Sequence, residues 1–329
     1  MINYKLTPRS GGFTLIELIV SMVLAALVIT PLIGFMINII DTDRKEQAKA
    51  TSEQELQVSL DYIAQDLQQA VYIYDGEGVA AIQEQLPHYN DATKVPVLVF
   101  WKRQVIKDAI RYDGQLCTTN DVTSENCDDS FVYSLVAYYL IKDNGDNDAI
   151  WSGAAQIGRF QIKDGVQDPN YPVDKYGNPQ YIKDYEPDRG FKLFNLDAQA
   201  NTLKAKMNQW QKDRADYQET TKVLVDFIDQ SISGVPSAVD CSSTLGLDSS
   251  VNDDNLRVPP SSVDTLNTNS FYACVDSSRT LVQVYIRGNA FARLSNDQIA
   301  SNATYSSSRL VYFPTVTVRL EGRGFLNGE

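Results

Sequence analysis

The sequence predicts an α+β chain. One long N-terminal helix, apolar in its first half and amphipathic in its second, packs on an antiparallel β-rich head with an inserted helix and long loops. Three observations predict it. Residues 13–40 contain no Lys, Arg or Asp and a single charge, Glu17, over 28 residues; ~20 suffice to cross a bilayer. Leu56, Leu60, Ile63, Leu67, Ala70 and Tyr74 then recur at steps of four and three, which is one face of a helix. Beyond residue 94 come short runs rich in β-branched and aromatic residues, the composition of strands.

Composition narrows the classes. Hydrophobic residues make up 43%, too many for a disordered chain. A net charge of −13 excludes an extended nucleic-acid surface, which needs clustered cations. The four cysteines, Cys117, Cys127, Cys241 and Cys274, form no C-x-x-C pair, and His88 is the lone histidine, so zinc-ligand spacing is absent. All four follow the apolar run and fit two disulfides in an oxidising compartment. Three pairings exist; the local one, Cys117–Cys127 with Cys241–Cys274, is expected.

The first element is a short leader, residues 1–12, with Lys5 and Arg9 before Gly11-Gly12. A secretory signal would place its cleavage site after the apolar core, not before it. The basic leader should stay cytoplasmic and send the rest of the chain across the membrane. The span follows as residues 13–40, interrupted by Pro31 and Gly34, where a kink or loosened turn is expected because proline removes one helix hydrogen bond. An acid at the centre of such a span costs roughly 2.5–3.5 kcal/mol, and less near its end. Glu17 therefore implies a partner or a task. Residues 41–74 read as the amphipathic continuation of the same helix, and residues 75–329 as the head.

The run Gly12-Phe13-Thr14-Leu15-Ile16-Glu17, followed by a long apolar helix, resembles the type IV prepilin family, including the pseudopilins of type II secretion systems. The resemblance implies a pilin-like fold. It also implies cleavage between Gly12 and Phe13 by a prepilin peptidase, methylation of the new amine on Phe13, and pairing of Glu17 with the N-terminal amine of a neighbouring subunit. Opposite charges attract far more strongly in hydrocarbon than in water, which makes that pairing physically reasonable. Residues 60–72 look like the helix end of larger minor pseudopilins of the J or W type, and the final strands, with Arg287 and "RLEGRG", look like the end of J-type pseudopilins. The N-terminal run, "LDYIAQDLQQAVYIYD", "VYSLVAYYL" and the "VQVYIRGNAFARL…YFPTVTVRLEGRGF" ending together resemble cyanobacterial hormogonium polysaccharide secretion pseudopilins, which implies a role in polysaccharide export.

In the head, residues 95–101, 131–142, 150–162, 280–288 and 312–324 read as strands, and residues 143–148 as a turn. Residues 195–232 carry Leu203, Met207, Trp210, Tyr217, Leu224 and Ile228 at multiples of about 3.5, which reads as the inserted amphipathic helix. Residues 169–190 and 236–262 are loops by their Pro, Gly, Asp and Ser content.

No catalytic residues are expected. His88 sits beside a proline in a loop, and neither G-x-S-x-G nor a phosphate-binding glycine loop is present. Asn144, Asp146 and Asp148 alternate as calcium ligands do. Ala149 stands where an EF-hand has glycine and the twelfth-position acid is missing, so a solvated turn is the favoured reading and calcium the alternative. Asp184, Glu186 and Asp188 repeat that pattern equally weakly. Trp101, Trp151, Trp210 and the many tyrosines suit core packing first and a polysaccharide contact second.

The expected role is a non-enzymatic minor subunit of a pilus-like or type II secretion-like machine. It would serve polysaccharide export and gliding by initiating a filament or sitting at its tip. Expected partners are the bilayer, other pilin or pseudopilin subunits, the peptidase and an inner-membrane assembly platform, with the head periplasmic. A minor pilin of a motility or adhesion pilus, and a membrane-tethered sugar-binding or hydrolytic module, are the rival readings.

Overall fold

The computed structural model describes residues 12–111, 127–142, 151–294, 303–324 and 326. The chain divides into two compact units, residues 1–48 and 49–329. In the first, α1 (Leu15–Gln68) begins and runs on through Pro31 and Gly34 without a break. The Thr30 hydroxyl donates to the Ala26 carbonyl (2.8 Å) in the turn that Pro31 follows. The apolar side chains of residues 13–40 are exposed all round, which is the surface of a helix made for lipid or for other helices.

The second unit opens with the rest of α1, whose Leu56, Leu60, Ile63 and Leu67 are buried. Here the expectation needs correction. The helix stops at Gln68, and Ala70 and Tyr74 are not on its face: β1 (Ala70–Ile73) takes over and pairs antiparallel with β2 (Lys94–Arg111). All four β1 residues are buried, and a strand covered on both faces leaves no alternation to tell it from a continuing helix stripe.

A short helix, α2 (Gly76–Ile82), leads into β2, which forms a long hairpin with β3 (Cys127–Ile141), from Lys94↔Ile141 to Arg111↔Cys127. β4 (Ala155–Lys163) and β5 (Lys222–Ile228) complete a five-stranded antiparallel sheet in the order β1-β2-β3-β4-β5. Between β4 and β5 the expected long helix is absent. Residues 195–232 hold one helical turn, α3 (Leu203–Met207), then irregular chain, then β5. The apolar residues there are spent on different neighbours. Phe191, Phe194 and Trp210 surround Trp101 edge-on at ring distances of 5.1–5.9 Å, while Val223 and Val225 pair with Gly158 and Ile157 of β4.

The expected loop 236–262 contains α4 (Cys241–Leu245), α5 (Asp253–Leu256) and β6 (Arg257–Val258). A Cys241–Cys274 disulfide ties α4 to β7 (Phe271–Asp276). β6, β7, β8 (Leu281–Arg287) and β9 (Thr315–Glu321) form a second, four-stranded antiparallel sheet. One hydrophobic core contains residues of both sheets and of α1, among them Leu60, Phe100, Val275 and Val284.

Two glycines let this core close. A Cβ on Gly288 would meet Leu56 Cδ1 at 2.8 Å, so the end of β8 lies directly against α1. In the "RLEGRG" ending, the Gly324 N–H donates to the Ala70 carbonyl (3.1 Å). A Cβ there would sit 2.9 Å from that same oxygen, closer than a side chain can approach.

Candidate functional site

The start of α1 is built by four residues. Thr14 is the residue before the helix; its Oγ1 accepts the Glu17 N–H (3.3 Å), and Glu17 Oε2 accepts the Thr14 N–H (3.2 Å) and hydroxyl (3.1 Å). This reciprocal pair is a capping box, in which a T-x-x-E sequence satisfies two amides that the first turn leaves without partners. The carboxylate also lies at the positive end of the helix dipole. Ser21 donates to the carbonyls of Glu17 (2.7 Å) and Leu18 (3.0 Å). The signature was present in the sequence but hidden behind the other reading of Glu17.

The cap leaves Glu17 chemically available. Its Oε1 oxygen has no hydrogen-bond partner among the described residues, and Phe13, Leu15 and Ile16 around it are exposed. The Gly12–Phe13 peptide precedes the helix, and nothing stands within 4 Å of where a Gly12 side chain would begin. The site therefore presents an exposed peptide outside the helix and a carboxyl group inside an apolar collar.

In the head, the chemistry-bearing residues are dispersed. His88 Nε2 lies 3.0 Å from Thr221 Oγ1 and its ring meets Tyr139 edge-on at 5.7 Å. Burial and then the Lys94 charge hold the imidazole below its usual range against Asp91. Asp188 accepts the Lys163 N–H (2.8 Å), and burial raises its carboxyl. Among the described residues no three His, Cys, Asp or Glu side chains come together as a metal site. Asn144, Asp146 and Asp148 lie outside the described residues, as does Cys117; Cys127 is disulfide-bonded. Trp101 and Trp210 are core, while Trp151 is 46% exposed.

Sequence reasoning missed a buried ion network centred on α1. Asp66 accepts from Lys102 Nζ (2.8 Å), Arg159 Nε (2.7 Å) and the Tyr138 hydroxyl (2.7 Å). Burial alone would raise the Asp66 carboxyl, but the hydrogen bonds from Arg159 and Lys102 outweigh it and hold it below the usual range. The partners are 36 to 93 residues away in sequence, so no local pattern could announce them. A second such pair joins Arg287 to Asp229 (2.8 Å), with Arg287 also donating to the carbonyls of Thr268 and Asn269.

Residues 7–33 match the family model described as the prokaryotic N-terminal methylation motif. The match covers the leader glycines, Phe13, Glu17 and the apolar run as far as Ile33. It supports a type IV pilin-like N-terminus, with the peptidase processing and pilin-type partners that such a motif implies in general. No curated protein and no solved structure matches the chain.

Proposed function

We propose that this protein is a minor pseudopilin, a non-enzymatic subunit that helps initiate or cap a pilus-like filament serving polysaccharide secretion and gliding. One observation carries the reading: a methylation motif at residues 7–33 opens a span of apolar, exposed helix whose only charge is a capped carboxylate. A peptidase would cut the Gly12–Phe13 bond and methylate the Phe13 amine. Glu17 would then receive the amine of the next subunit, offsetting the cost of an acid in the membrane. Pro31, which removes one helix hydrogen bond, and Gly34 would let the helix loosen there as subunits pack. The two-sheet head, bulky and irregular, supports a minor position, because a repeating shaft must place many copies side by side.

The polysaccharide role rests on the resemblance of the N-terminal run, residues 60–75, residues 132–140 and the ending from residue 282 onward to hormogonium secretion pseudopilins. The test is a deletion strain complemented with wild-type protein or Glu17→Ala, scored for surface pili and for polysaccharide in the medium. Loss of polysaccharide with pili retained, and no rescue by Glu17→Ala, supports the proposal. Loss of pili as well makes the chain a minor pilin of the motility pilus. Full rescue by Glu17→Ala leaves a tethered head, because a tether needs apolarity and no carboxylate.

A further inference from the structure

The short 3₁₀ turn Ser307–Tyr312, just before β9, holds two neighbouring aliphatic side chains out in solvent: Leu310 is 54% exposed and Val311 63%. The residues around them are fixed. Phe313 is buried and donates its N–H to the Leu310 carbonyl (2.9 Å), and the Tyr312 ring meets Phe291 edge-on at 5.6 Å. The Arg309 guanidinium lies 4.8 Å over the same Phe291 ring. At the start of the turn the Ser306 hydroxyl accepts the Ser308 N–H. The apolar pair is therefore presented by a built scaffold and not by slack chain. A third exposed aliphatic, Ile232, borders the segment, since the preceding Ser231 hydroxyl accepts the Tyr305 N–H (2.7 Å).

Composition singles out the same segment. A chain with 42 Asp and Glu residues has none between Asp297 and Glu321. Aliphatic side chains beside tyrosine, serine and arginine, with no acid among them, are what a membrane–water interface accepts. The nearby stretch of α1 carries both signs in Glu46, Lys49 and Glu53, so the attraction is to the apolar boundary of a bilayer and not to anionic headgroups. The place of the turn agrees. Lys49 Nζ lies 5.3 Å over the Tyr312 ring, and Lys49 is nine positions from Ile40, where the apolar span ends. Nine residues reach at most about 30 Å even when fully extended, so the turn is tethered close to any bilayer that the span enters. A tether raises the effective concentration of lipid at the turn, and a hold too weak for a free protein then suffices. A protein partner fits less well, because two or three aliphatics without a groove fall far short of the roughly 800 Å² per side of a stable interface.

We propose that the 307–312 turn is a membrane-surface contact, in which Leu310 and Val311 enter the headgroup boundary of the bilayer that holds the apolar span. It would hold the head against the membrane before assembly. Of the pseudopilin reading, it rests only on the span lying in a bilayer.

The test uses full-length protein in phosphatidylcholine nanodiscs, its disulfides intact. One added cysteine carries a fluorophore: Val28→Cys in the span, Ser307→Cys in the turn, or Tyr176→Cys on another exposed loop. Quenching by a lipid with a nitroxide at the headgroup boundary is read at each position. The expected result is quenching at Val28→Cys and Ser307→Cys and none at Tyr176→Cys. Adding Leu310→Asp/Val311→Asp should abolish it at Ser307→Cys and leave Val28→Cys unchanged. All these side chains are exposed, and an unchanged denaturation midpoint is the fold control. Quenching at Val28→Cys with none at Ser307→Cys overturns the proposal and leaves the membrane anchor and the assembly role standing. Quenching that survives the two aspartates, or that appears only when phosphatidylglycerol is present, also overturns it. So does shielding of the fluorophore without lipid quenching, which means that protein covers the turn. No quenching at Val28→Cys removes the span from the bilayer, and this contact with it. The complementation by Glu17→Ala bears on assembly alone.

Discussion

Glu17 has one partner inside its own turn and, on the proposed reading, a second in the next subunit. The two uses separate by substitution. Glutamine serves in a capping box as glutamate does but carries no charge. Glu17→Gln should therefore keep the helix start and still fail to assemble, giving cut, membrane-inserted protein and no filament by cell fractionation; rescue by glutamine would make the cap the whole reason for the acid. Asp66 is a different case, a carboxylate whose two cations would be stranded in the core without it. Asp66→Asn should cost about 3–5 kcal/mol, read as an earlier denaturant midpoint by tryptophan fluorescence. Because the folded carboxyl titrates below its ordinary range, its contribution is fully present above pH ~3.8 and is lost as pH falls through the lower folded value. The Asn variant should lack that part of the acid transition. His88 is also depressed, so its share of stability is present above about pH 6.5 and lost as pH drops below. His88→Gln should flatten the stability profile in that window.

Elements that announce themselves by composition were legible. The apolar span, the first part of β2, and strands β3, β4, β8 and β9 follow from runs whose residue types leave little choice, while the extension of β2 to Arg111 and its pairing with β3 did not show in the sequence. What failed was spacing taken alone. Trp210 and Tyr217 sit at helical intervals from Met207 yet pack edge-on against Trp101 and Phe160 from irregular chain, because burial needs side chains in place and not a helix to carry them. β7, with all six residues buried, offered neither alternation nor length. The contact of His88 with Thr221 joins residues 133 positions apart along the chain, so nothing local could have announced it. The Cys241–Cys274 bond closes a loop of 33 residues. Replacing both cysteines by serine should lower stability by about 4 kcal/mol on the chain-entropy account, measured as a lower denaturation midpoint. Gly324→Val should also destabilise, since its side chain would enter the space of the Ala70 carbonyl and Val71.

At the scale of the whole molecule, a short basic leader, an apolar span and an acidic two-sheet head form a chain whose parts face three different solvents on the proposed reading. Changing Gly12 to a bulky residue such as Leu should block removal of the leader without blocking insertion, seen as full-length protein accumulating in the membrane fraction. The seam between Ala70 and Gly324 adds a matter of timing. The two residues lie more than 250 positions apart, and the bond between them joins the first residue of β1 to the chain beyond β9. On the proposed reading, the helix end and β1 emerge first during export, and their closing partner arrives only when the final strand has been delivered. Until then β1 would have a bare margin and the head an incomplete core, which on that reading leaves an interval for chaperones to hold the chain before it joins a filament.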